Sequence, residues 1–167
     1  MKLVHLLFYS FFAITFLGCA TNYPISINSD KSYQSKIKRA LIEVKNDQLG
    51  YFFKSFGDSL SVELERQGVI VKSIDTGILS IDSEKDSQNF NPQVIIQIER
   101  TLTNQSVNKT VISYSGGVYL MSIILPETHK IVWKASINTN SEFYASKSSA
   151  KLCVQKIIQQ LQMDQLL

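Results

Sequence analysis

Few side chains in this chain carry chemistry, and their spacing excludes most of it. Of the two histidines, His5 lies in an apolar N-terminal run and His129 stands beside Lys130 in a stretch that reads as a turn. A general base needs a held geometry and an orienting partner, which a lone turn imidazole lacks. Of the two cysteines, Cys153 falls on an apolar helical stripe, where a thiol acts as a small hydrophobe. Glu63 and Glu65 are two apart on a helical stretch and do not face each other across a substrate. Asp82, Glu84 and Asp86 alternate in a polar loop with Lys85, but the Gly and later bidentate Glu of a calcium loop are missing. Gly116-Gly117 follows Ser113-Tyr114-Ser115, which fits neither a phosphate loop nor a nucleophile elbow and reads as a bulge in a strand. Two Cys and two His are too few for a disulfide framework or a Cys/His zinc site. The expectation is a protein that is not an enzyme, with no catalytic residue, no cofactor and no metal. A net charge of +3 with interspersed signs gives no case for nucleic acid.

The other cysteine sits in a different setting. Lys2 opens the chain, and Leu3 to Leu17 is a fifteen-residue run broken only by His5, Ser10 and Thr15. Spanning a membrane takes roughly 20 apolar residues, so this run has the length of a secretory signal core. It ends in Phe16-Leu17-Gly18-Cys19-Ala20, which resembles the lipobox of bacterial lipoproteins. The resemblance implies a signal peptide over residues 1–18 and cleavage before Cys19. Cys19 then carries diacylglycerol and an N-acyl chain such as palmitate. Asp after the lipidated Cys favours inner-membrane retention in that family, and Ala20 here implies the outer membrane, periplasmic face. Two or three acyl chains, each buried CH₂ contributing about 0.8 kcal/mol, make such an anchor effectively permanent. Residues 19–36 are polar, with Pro24, and read as the lipidated Cys followed by a flexible tether. Lys31, Lys36, Lys38 and Arg39 near its end read as a solvated entrance to the first strand.

In a chain that is 44% hydrophobic overall, the remaining residues, 37–167, read as one domain. Ala40–Val44 is apolar enough for a strand. Leu49, Phe52, Phe53, Phe56, Leu60 and Leu64 recur at helical spacing, and Gly68 stands where a left-handed cap ends the helix. Val69-Ile70-Val71 follows as a strand, and this close β-α-β succession predicts a parallel pair. After a polar loop over 82–93, Val94–Ile98 resumes the sheet. Thr103–Lys109 reads as a polar turn, and Thr110–Leu125 as a long central strand. Pro126–Lys130 turns the chain into a half-buried strand from Ile131 to Ile137. Ala150, Cys153, Val154, Ile157, Ile158 and Leu161 form one stripe of a final helix, capped near Ser148-Ser149. The predicted fold is α+β and two-layered: a mixed sheet of about five strands with two helices on one face, in the order β-α-β-β-β-β-α. Core packing is the plain reading of this aromatic helix start, but adjacent Phe52 and Phe53 cannot both point squarely inward, which leaves one of the pair as the candidate partner surface. Ala40–Val44 and the strand from Val69 are the candidate sheet edges.

Three segments carry a second resemblance. The helix end Ser59–Val71, the strand entry Pro92–Ile98 and the hairpin Tyr119–Ile137 with its Lys130-Ile131-Val132-Trp133-Lys134-Ala135 stretch are similar to small envelope lipoproteins. These are domains related to the N-terminal domain of TolB, the curli-secretion lipoprotein and the penicillin-binding-protein activator lipoproteins. More distantly, the pattern is similar to the lipoprotein of lipopolysaccharide assembly. The resemblance implies a non-catalytic adaptor or assembly factor, held on the membrane by its lipid and engaging a protein partner in the envelope. A lipid- or lipopolysaccharide-handling role beside an outer-membrane barrel is the alternative.

Overall fold

In the computed structural model the described residues are 25–29, 33–44, 51–75, 89–108, 111–139 and 147–167. Their periodicities become strands β1 (Ile25–Ser29) and β2 (Arg39–Val44), helix α1 (Tyr51–Arg66), then strands β3 (Ile70–Asp75), β4 (Val94–Asn108), β5 (Val111–Ile124) and β6 (Ile131–Thr139), and helix α2 (Lys147–Met163). The strands form one six-stranded sheet in the order β1-β6-β5-β4-β2-β3. β2 pairs in parallel with both β3 and β4, while β4, β5 and β6 form an antiparallel meander.

The two-residue period of the strands separates the faces. Ala40 and Ile42 of β2, Val94, Ile96 and Ile98 of β4, Tyr119, Met121 and Ile123 of β5, and Trp133, Ala135 and Ile137 of β6 are buried in one cluster with the helices. Phe52, Phe56, Leu60 and Leu64 supply the α1 side, and Ala150, Cys153, Val154, Ile157, Ile158 and Leu161 the α2 side. The opposite sheet face carries a polar cross-strand row, Glu43–Gln97–Ser122–Lys134, fixed by register. Gly57 lets α1 approach β2 closely, since a Cβ there would lie 3.0 Å from a Val44 methyl.

Both helices end in left-handed caps. Gly68 (φ 83) closes α1, with Val69 N–H donating to the Leu64 carbonyl and Gly68 N–H to that of Glu65. At the end of α2, Gln165 (φ 60) plays the same part, with Leu166 N–H bonded to the Leu161 carbonyl. Leu166 is buried, and its carbonyl accepts from Ile37 N–H at 2.8 Å, tying the last turn to the entrance of β2.

The two-layer α+β expectation holds, and three local expectations are corrected. Residues 25–29, read as tether, are a sixth strand: Ile25 and Ile27 alternate with Ser26 and Asn28, and the segment pairs antiparallel with β6. Ala40–Val44, offered as an edge, is interior, because β4 returns to its free side. The strand from Val69 is an edge, and β1 is the other among the described residues. Residues 103–108, read as a turn, continue β4 and pair with β5 as far as Asn108 and Val111. Thr101, Thr103 and Val107 are β-branched, which suits a pleated ribbon better than a turn. The irregularity expected at Gly116-Gly117 is present: the register shifts between the Thr103–Gly117 and Gln105–Tyr114 pairs. A second shift leaves Thr101 as the extra residue of β4, and its hydroxyl donates to the Val118 carbonyl at 3.1 Å.

Candidate binding cleft at the end of the sheet

The residues entering β2 and β4 are held together by one side chain. Gln93 donates from Nε2 to the Lys36 carbonyl at 2.9 Å and accepts from Lys38 N–H at its Oε1 at 2.8 Å. Its backbone N–H bonds to the Arg39 carbonyl at 3.0 Å. The amide thus acts as a strand partner for residues 36–38, and this carries Tyr33 and Ser35 alongside Asn91 and Pro92. Gln93 also hydrogen-bonds the Tyr33 hydroxyl; burial pushes that phenol's pKa up and the hydrogen bond opposes the rise.

Facing this junction is the β5–β6 turn. His129 N–H donates to the Leu125 carbonyl at 2.9 Å and Leu125 N–H to that of Lys130 at 3.0 Å, with His129 at φ 53. Between the two lies a cleft of about 500 Å³, lined by the junction and by Leu125, Pro126, Glu127 and Thr128. Arg39 lines it as well. Its guanidinium lies over the Phe90 ring, 4.4 Å from the centroid, a cation–π contact that fixes a side chain with several free torsions. Arg39 Nε is buried with no acceptor among the described residues, an arrangement that costs about 1–3 kcal/mol unless a partner arrives. Asn91, next to Phe90, holds a positive φ of 48, a conformation that Asn tolerates better than most residues.

Cys19 and its neighbours Phe16, Leu17, Gly18 and Ala20 lie outside the described residues, as do Asp82, Glu84 and Asp86. Of the candidate partner surface, Phe52 is a core residue, 3% exposed, with its ring 5.9 Å from Phe56 and 5.1 Å from Tyr119. It therefore offers no surface to a partner; the side chain of Phe53 lies outside the described set. Cys153 is a free thiol at 0% exposure, as its place on the stripe predicts. His129 is exposed and serves the turn. Sequence reasoning left Arg39 as a solvated cation and missed Tyr33 and Gln93 altogether. Arg39 and Phe90 meet across some fifty residues, and no local period announces such a contact.

Among the described residues, no group of three or more His, Cys, Asp or Glu could hold a metal ion, and no helix is long and apolar enough to cross a membrane. No protein-family model matches the sequence, and no curated protein matches it. Solved structures do share its fold. A PelC dodecamer from Paraburkholderia phytofirmans superposes with a TM-score of 0.54 at 14% identity, over 83% of this chain and 96% of that one. A single-substitution variant of the same protein gives 0.55 at 11% identity, over 87% and 99%. The lipoprotein GNA1162 from Neisseria meningitidis aligns at 0.44 and 14% identity, over 74% and 97%. At such identities the PelC likeness is one of fold.

Proposed function

We propose that the protein is a non-catalytic lipoprotein of the cell envelope. An acylated Cys19 anchors it to the periplasmic face of the outer membrane, and the α+β domain acts as an adaptor or assembly factor for a protein partner. The observation that carries this reading is Phe16-Leu17-Gly18-Cys19 at the end of an apolar run too short to span a bilayer. The fold shared with a bacterial PelC chain is in keeping with it. Anchoring contributes to partner engagement by confinement: two proteins on one surface meet at raised effective concentration without any added contact. The edge strand β3 supplies a docking mode by strand addition, and it exposes Ile70 at 58%. The lipid-handling alternative needs an acyl-sized groove between helices and sheet. In the described residues that layer is filled by Phe56, Leu60, Met121, Trp133 and Ile157, all buried, so the adaptor reading is preferred.

Replacing Cys19 with Ala tests the anchor. The unmodified protein is expected to incorporate labelled palmitate and to sediment with outer membranes. Cys19→Ala is expected to take up no label and to appear in the soluble periplasmic fraction. Continued sedimentation of the unlabelled variant would show that something other than a lipid holds the protein there.

A further inference from the structure

We propose that the cleft between Arg39 and the β5–β6 turn binds the free carboxyl terminus of a peptide that ends in an apolar residue. This goes beyond the anchored-adaptor reading and does not depend on acylation of Cys19.

Among the described residues, Arg39 is the one cationic side chain lining the cleft. Its guanidinium is held over the Phe90 ring before any ligand arrives, so less torsional freedom is lost on binding. Its Nε is walled off and has no acceptor, which leaves the two terminal nitrogens as the fork for a ligand. A planar fork of that kind matches a carboxylate with two parallel hydrogen bonds. Glu127, on the facing turn, selects among anions. Its carboxylate repels a dianionic phosphate, whereas a singly charged carboxylate on Arg39 leaves Glu127 free to accept from a peptide N–H. Pro92, Leu125 and Pro126 add an apolar wall beside these charges. A bare inorganic anion would leave that wall uncovered, and an apolar last side chain covers it. The volume of about 500 Å³ lies within the range of pockets that enclose small ligands.

The test uses the full-length protein in detergent and a fluorescein-labelled tetrapeptide, Ala-Ala-Ala-Leu, as the free acid and as its C-terminal amide. Fluorescence anisotropy is expected to show saturable binding of the acid, with the amide at least about tenfold weaker. Arg39→Lys keeps the charge and loses the fork. It should weaken the acid about tenfold and leave the amide unchanged. Glu127→Gln removes the repelling charge and should let inorganic phosphate displace the peptide. Thermal unfolding and Trp133 fluorescence check that each variant is folded; should Arg39→Lys fail to fold, the acid-against-amide comparison on the unmodified protein decides. Equal binding of acid and amide would overturn the proposal. So would no saturation up to about 10 mM, displacement of the peptide by phosphate from the unmodified protein, or unchanged binding by folded Arg39→Lys. A cleft that holds only water gives the no-saturation result, and loss of the membrane anchor changes none of these readings.

Discussion

Two buried side chains give the sharpest tests at the scale of single residues. Trp133 is 1% exposed, and its indole N–H donates to Asp164 Oδ2 at 2.9 Å, while Gln160 Nε2 donates to Oδ1 at 3.1 Å. Asp164→Ala leaves a buried donor without an acceptor and is expected to lower stability by about 1–3 kcal/mol. Urea unfolding should show a lower midpoint at unchanged slope. Trp133 is the sole tryptophan, so its emission reports directly on the site, and Asp164→Asn, which restores an oxygen acceptor, should recover part of the loss. Cys153 makes a pH test. Burial pushes its thiol from 9.0 up to about 11, with the Lys156 ammonium opposing the rise. The folded state keeps this proton where the unfolded chain has lost it, so the contribution is whole below pH 9 and disappears as pH rises through about 11. The stability of the unmodified protein relative to Cys153→Ala should be flat below pH 9 and then fall by about 1.4 kcal/mol per pH unit. A difference that stays flat to pH 11 would mean that the thiol titrates alike in both states.

At the scale of elements, the helices were legible because their stripes are long and complete. Every α2 stripe residue from Ala150 to Leu161 that the helical period selects is buried, and Gly68 caps α1 at the position the sequence marks. β1 was not legible. Its five residues follow a proline, two of them are serines and one is asparagine, and its partner β6 lies more than a hundred residues along the chain. Strand pairing at that separation leaves no local trace. Deleting residues 20–30 therefore separates a tether from a strand. As a strand, its loss should drop the thermal midpoint by several degrees. It should also promote self-association through the bared edge of β6. A tether's loss would alter neither.

At the scale of the whole molecule, pairing of β1 bears on how the proposed anchor at Cys19 would hold the domain. Only residues 20–24 separate Cys19 from Ile25, and a chain of that length reaches at most about 22 Å even when extended. The lipid proposed on Cys19 would thus hold the β1 edge close to the membrane surface, and β3 is the edge farther across the sheet. Cys19→Ala, expected to release the domain, bears on this arrangement as a whole. The cleft is built from the entrances of β2 and β4 and the β5–β6 turn, so it depends on the assembled sheet rather than on any one element.

By itself the sequence determined the two amphipathic helices, the parallel β-α-β start and the turns around Gly68 and Pro126. These are local patterns, set by apolar periods and backbone preferences over a few consecutive residues. Tertiary structure decided the strand order, the capture of residues 25–29 by β6, the burial of Phe52 and the meeting of Arg39 with Phe90 and Glu127 around one cleft. Those outcomes depend on which distant segments pair and which side of a strand a later one occupies, a choice made by the packing of the whole sheet.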